Sequence, residues 1–179
     1  MEIFEIDPAE GFAGSWVRNS EGRMVSLVHG VRQSSWKVPE AWWKTNEGRK
    51  KFPIPDLDVS QSLLLVRPEF MNGLPLRRDV DYEELEVIRN DFPHRVLSIL
   101  TAPGAFDAAT SDCSTAGTII VTVRRYVFDE SKLVGRAAFL AEGLGATTFV
   151  TRPVRDYFVQ RQARGLSFRR VWPSKEATS

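Results

Sequence analysis

The order of hydrophobic and polar positions predicts a chain of short strands punctuated by a few short helices. Ile3, Phe4 and Ile6 open a first strand that Asp7-Pro8 stops, and Gly11 and Gly14 bracket a turn. The loop Asn19 to Gly22 leads into a strand from Arg23 to Val31. Pro39 is read as the first residue of a short helical stretch that carries Trp42 and Trp43 and ends near Gly48, because proline suits the first helical position. Arg49-Lys50-Lys51 with Pro53 and Pro55 then forms an irregular connection.

The second half is patterned more sharply. Ser62 to Val66 is a short apolar run suited to a strand buried on both faces. Arg67-Pro68 ends it and opens a short helix, which Asn72-Gly73 closes. Glu83 to Ile88 and His94 to Leu100 read as further strands, and Ala102 to Ala116 as a loop. Thr118 to Val127 is β-branched and alternating, and Asp129 with Ser131 suits a turn or cap. Thr147 to Val150 is a strand, Thr151 an N-cap and Pro153 the first helical turn. Val154, Tyr157 and Phe158 then share one helical face. Gly165 is read as the C-cap, and Leu166 to Val171 as a closing strand with Leu166, Phe168 and Arg170 on one face. The expected fold class is α+β: mainly antiparallel sheet with a few short helices, ending in a strand–helix–strand unit.

At 179 residues the chain fits one domain, with a possible N-terminal subregion over residues 1–55 and a C-terminal region over 56–173. A domain of this size buries about 70% of its unfolded surface and needs no covalent staples. The single cysteine, Cys113, allows no internal disulfide and suits a reducing compartment. The acidic, alternating start Met1 to Asp7 is the reverse of a signal peptide, and no apolar stretch reaches the ~20 residues that span a bilayer. A cytoplasmic location without membrane association is expected. The net charge of +1 supplies no general attraction to nucleic acid.

Catalytic chemistry finds no foothold in these spacings. His29 and His94 are unpaired by any metal-ligand motif, and with one cysteine a zinc site would need carboxylates from scattered positions. Asp112 and Ser114 beside Cys113 do not favour a thiolate. Ser62, Ser98 and Ser111 lack the nucleophile elbow, and Gly135, Gly143 and Gly145 form no phosphate loop. No catalytic residue, metal or cofactor is therefore assigned.

Two charge clusters and the tryptophans remain. Residues 79–91 hold six acids, Asp79, Asp81, Glu83, Glu84, Glu86 and Asp91, against Arg89 as the one base. They read either as a solvated edge strand or as an acidic surface for a basic partner. The basic cluster Arg152, Arg155, Arg161, Arg164, Arg169 and Arg170 lacks the aromatic interleaving of a nucleic-acid module. Tryptophan is enriched at binding hot spots, which adds Trp42 and Trp43 to the candidate partner-binding residues Asp79, Asp81, Glu83, Glu84 and Glu86.

Several segments occur in a familiar order. Ser62 to Pro68 runs through Leu-Leu-Leu-Val into Arg-Pro, and Arg95-Val-Leu-Ser-Ile-Leu100 follows. After Asp112 come Tyr126-Val-Phe-Asp-Glu-Ser-Lys-Leu133 and Phe139. The series closes with Thr148-Phe-Val-Thr-Arg-Pro153 and Ala163-Arg-Gly-Leu-Ser-Phe168. From about Gln61 to Trp172 the chain resembles the immunity protein 11 family of bacterial polymorphic toxin systems. It departs from the pattern over Ala105 to Asp112, where members more often show a Leu-Asp and Ser pair, and residues 1–50 carry no such likeness. The resemblance implies a cytosolic protein that binds and neutralises one cognate toxin effector and has no activity of its own. Two alternatives stand beside it: a non-catalytic module for another protein or ligand, and an enzyme with a dispersed carboxylate and arginine site.

Overall fold

A computed structural model describes residues 1–18, 40–47, 49–89, 93–117 and 119–173; for Trp16, Val17, Arg18, Glu40, Trp42, Ile88 and Arg89 it describes the backbone alone. The strand expected over Arg23 to Val31, with His29, lies outside the described residues. In chain order the strands are β1 (Ile3–Pro8), β2 (Gly14–Arg18), β3 (Glu40–Lys44), β4 (Asn46–Glu47), β5 (Lys50–Lys51), β6 (Leu57–Ser60), β7 (Leu63–Val66) and β8 (Tyr82–Leu85). They continue with β9 (Ile88–Arg89), β10 (Arg95–Ile99), β11 (Thr101–Ala102), β12 (Asp112–Ala116), β13 (Ile119–Arg125), β14 (Ala138–Ala141), β15 (Thr148–Thr151) and β16 (Leu166–Trp172). The one α-helix among the described residues, α1, is Arg152–Gln160.

This architecture corrects the expected α+β class: the protein is mostly β, 46% strand against 11% helical, in several sheets. The expected helices shrank for identifiable reasons. Pro39 does not lead into a helix, because Glu40–Lys44 pairs antiparallel with Gly14–Arg18, Trp16 opposite Trp42. Aromatic residues fit such a pleated surface well. Arg67-Pro68 opens only a 3-10 turn, Pro68–Phe70, and Glu130–Leu133 is another. The loop expected over Ala102 to Ala116 contains β12, which the long β-branched strand β13 recruits as its antiparallel partner.

A five-stranded sheet in the order β11-β14-β15-β1-β16 forms the centre. Strand β1 lies between β15 and β16, so the first residues of the chain complete the sheet built by its closing strand–helix–strand segment. Both faces of this sheet are covered, and successive residues of its strands serve opposite cores. Phe4, Ile6, Ala138, Leu140 and Val150 point to one core. There they meet Leu57, Val59, Leu64, Val66, Leu97 and Ile99 of a second sheet, β6-β7-β10-β8, with Val154 and Phe158 of α1. Ile3, Phe139, Ala141 and Phe149 point the other way, against Ala105, Phe106, Tyr126, Phe128 and Leu133. Phe128 centres that aromatic cluster, 5.3 Å from Phe149 and 5.8 Å from Phe139 between ring centroids. The outer face of the second sheet, Leu63, Leu65, Leu85 and Val96, packs on Ala41 and half-buried Trp43.

The closing strand does not keep one face throughout. A bulge between the pairs Ile3–Trp172 and Phe4–Arg170 leaves Val171 as the extra residue. Leu166 and Phe168 therefore face the first core, while Val171 and Trp172 turn to the second and Arg170 stays exposed.

Thr151 holds the expected N-cap position in extended conformation, but its hydroxyl donates to Ala137 O at 3.2 Å instead of capping α1. The helix stops before Gly165: Gln160 is its last residue, and Gln162 takes the left-handed φ of 54°. Gly165 has a different task. A Cβ there would lie 2.0 Å from Leu57 O and 2.4 Å from Pro55 Cβ. Glycine is required because two backbones meet, not because a helix ends.

Candidate functional site

The acidic segment is an edge strand whose carboxylates diverge. Strand β8 flanks β10 at the rim of the second sheet, with Glu84 opposite Leu97 and Glu83 opposite Ser98. Glu84 shares the face of Tyr82, and Glu83 shares that of Leu85. Both glutamates are half-buried, and Glu84 pairs with Arg95 at 3.0 Å. Asp79 and Glu86 are exposed. Asp79 has a φ of 66° and donates its N–H to Tyr82 O at 2.8 Å, which closes the tight turn before β8.

Asp81 is not on the surface at all. It is fully buried, and its carboxylate accepts from Arg77 N at 2.7 Å and from Ala137 N at 2.9 Å. Its carbonyl also accepts from Leu100 N at 3.0 Å. Asp81 thus ties the turn before β8 to the segment entering β14 and closes the strand interval at β10. Of the five acids assigned to a partner surface, Asp81 serves the fold, and the other four are spread over two strand faces and a turn.

Of the tryptophan pair, the side chain of Trp42 lies outside the described residues. Trp43 is half-buried, its ring 4.8 Å from that of His94. His94 is buried, with Nε2 2.9 Å from Pro55 O. Burial pushes its pKa down to about 4, so the ring is neutral near pH 7. The pair reads as packing beneath an edge, with part of Trp43 accessible.

The basic cluster is an ion-pair lattice that joins β1, α1 and β16. Arg152 meets Glu2 at 3.2 Å and Asp156 at 3.3 Å, and Arg155 meets Asp156 at 2.7 Å. Arg164 reaches Asp56 at 3.3 Å, Arg170 reaches Glu2 at 3.2 Å, and Arg169 pairs with Glu5. Arg161 lies over the ring of Tyr157, 4.6 Å from its centroid. Five of these guanidinium groups share four carboxylates, Glu2, Glu5, Asp56 and Asp156, and Arg161 rests on a ring, so the cluster is largely but not wholly compensated. Among the described residues no group of three or more His, Cys, Asp or Glu side chains is placed to hold a metal ion. Cys113, half-exposed in β12, has its sulfur 3.8 Å from Ala108 O.

One surface that the sequence pattern did not single out is the two-stranded ribbon β12–β13, which pairs with no other strand among the described residues. Its register shifts twice, and one shift leaves Val121 as an extra residue between Thr122, opposite Ser114, and Ile120, opposite Thr115. The bulge lets Ile120 and Val123 both pack towards the aromatic core. Ile119 and Val121 are left 69% and 64% exposed. Asp112 and Arg124 pair at 3.0 Å near the base of the ribbon and neutralise each other. The clue in the sequence was the run Ile119-Ile-Val-Thr-Val123, whose apolar residues outnumber what one buried strand face can hold.

The chain matches no protein-family model and no curated protein. No helix among the described residues is long and apolar enough to cross a membrane.

Proposed function

We propose that this chain is an immunity protein: a cytoplasmic binder, without chemistry of its own, that neutralises one cognate toxin effector. The ordered resemblance between Gln61 and Trp172 supplies the class of partner. The observation that carries the reading is the ribbon β12–β13, which lies within that stretch and exposes Ile119 and Val121 side by side. Two large aliphatic side chains, each more than half exposed on an otherwise unpaired ribbon, suit the desolvated centre of a protein interface. The exposed acids Asp79 and Glu86, with half-buried Glu83 and Glu84, add a charge that can steer a basic toxin domain. Such steering acts mainly on association rate and fades with salt.

The test is co-expression with the toxin encoded beside this gene. The wild-type chain should protect growth and co-purify with the toxin. An Ile119→Asp, Val121→Asp double variant should fold normally by circular dichroism and lose both properties. Full protection by that variant would remove the ribbon from the interface, and a wild-type chain that neither binds nor protects would end the immunity reading. Reversal of Glu83, Glu84 and Glu86 to lysine should slow association most at low ionic strength, with the reversal of Arg161 and Arg164 as the weaker control.

A further inference from the structure

Two adjoining clefts border β6 at the rim of the second sheet, and Pro8 and Val59 line both. The first, about 190 Å³, is lined by Phe12, Ala13, Ser15, Asp58 and Ser60 among others. The second, about 270 Å³, is lined by Ile6, Asp7, Gln61, Ala146, Thr147 and Thr148 with the shared pair. Their sizes fall just below the roughly 300 Å³ at which small-ligand pockets begin.

Two independent features converge on this edge. Asp58 is 5% exposed and has no cationic partner among the described residues; its carboxylate accepts from Ser15 Oγ at 2.6 Å and from Ser15 N at 3.3 Å. Burial outweighs those hydrogen bonds and pushes its pKa up. Thr148, 1% exposed, carries a hydroxyl with no hydrogen-bond partner, a rare condition for a buried polar atom. Gln61, at the lip, holds a φ of 56° as part of the two-residue turn that joins β6 to β7. The wall behind Asp58 is stiff, because Gly165 packs backbone to backbone against Leu57 there.

Among the described residues the charged groups of both clefts are carboxylates, Asp7 and Asp58, and no lysine or arginine lines either. We propose that this edge binds a small organic cation, an amine or guanidine on a short aliphatic chain. Its charged head pairs with Asp58, and its chain crosses Pro8 and Val59 towards Thr148 and Gln61. A cation supplies the counter-charge that the buried carboxylate lacks. A second polar group at the far end of the ligand supplies a partner for the Thr148 hydroxyl. The inference is independent of toxin binding and goes beyond it.

Ligand-observed NMR and calorimetry on the full chain test it, with agmatine as the long probe, methylguanidine as the head alone, and acetate and glycerol as controls. Agmatine should bind saturably. Asp58→Asn should weaken both cations by about tenfold or more, the loss expected for a hydrogen bond to a charged group. Thr148→Val should weaken agmatine and leave methylguanidine unchanged. The same Thr148→Val variant should melt no lower than wild type without ligand, since it removes an unpartnered hydroxyl at nearly constant volume. Absence of saturable agmatine binding at millimolar concentration, or equal binding of acetate, would overturn the proposal. So would agmatine binding that is indifferent to Asp58→Asn in a variant that melts like wild type.

Discussion

Replacing Gly165 by alanine tests the junction on which the β-rich architecture depends. At this residue the β16 end of the central sheet meets the start of β6. Arg164 O accepts from both Asp56 N at 2.9 Å and Leu57 N at 3.0 Å, and Gly165 O accepts from Ala9 N at 2.8 Å. A methyl group would be driven to 2.0 Å from Leu57 O and 2.4 Å from Pro55 Cβ, and both lie on backbone or ring that cannot swing aside. The φ of 118° adds a conformational cost of about 1–3 kcal/mol for any residue with a Cβ. Separating the two segments enough to admit the methyl breaks or lengthens the two hydrogen bonds to Arg164 O, each worth about 0.5–1.5 kcal/mol net. The expected loss is therefore about 2–6 kcal/mol, a large share of a stability of about 5–15 kcal/mol. The natural control is Gly104→Ala. Gly104 also has a positive φ, 66°, but nothing lies within 4 Å of its would-be Cβ, so only the conformational cost of about 1 kcal/mol applies. Urea unfolding followed by tryptophan fluorescence measures both. If Gly165→Ala costs no more than Gly104→Ala, the two backbones do not meet as described and the junction argument is wrong.

Three further outcomes follow from the same structure. Phe158→Ala should cost about 3–5 kcal/mol because the ring is 1% exposed inside the first core, whereas Phe168→Ala at a half-buried position should cost clearly less; equal losses in urea unfolding would contradict that ranking. Asp81→Ala should cost about 2–5 kcal/mol, since it leaves the Arg77 and Ala137 N–H groups without their acceptor, and a loss below 1 kcal/mol would show that the carboxylate does not clamp the turn. The pH dependence is set in part by His94, whose folded pKa of about 4 lies below its ordinary 6.5. The unfolded chain therefore takes up a proton first, and stability should decline as pH falls from about 6.5 to 4, by up to about 1.4 kcal/mol per pH unit. In His94→Gln that slope should flatten, and an unchanged slope would assign the decline to other groups.

Local order was legible in the sequence wherever neighbouring residues decide it. The β-branched run at Ile119–Arg125 is a strand, and Pro153 does start a helix after a strand ending at Thr151. Asp129 accepts from Ser131 N at 3.0 Å, as a cap should. These outcomes depend on backbone preferences within a few residues. What the sequence could not decide was which distant strand would claim an ambiguous segment. Glu40–Lys44 is short and rich in tryptophan, and its conformation follows from pairing with β2, whose residues lie far back in the chain. Residues 112–116 became a strand because β13 needed a partner. Asp81 looked like its acidic neighbours until the fold buried it against the N–H groups of Arg77 and Ala137. Gly165 looked like a helix cap until Leu57 arrived beside it. The six-arginine cluster was visible as composition, but its partial compensation was not, because Glu2, Glu5 and Asp56 reach it only in the folded chain. Period and propensity act over a handful of residues, whereas burial and charge pairing belong to residues that only the folded chain brings together.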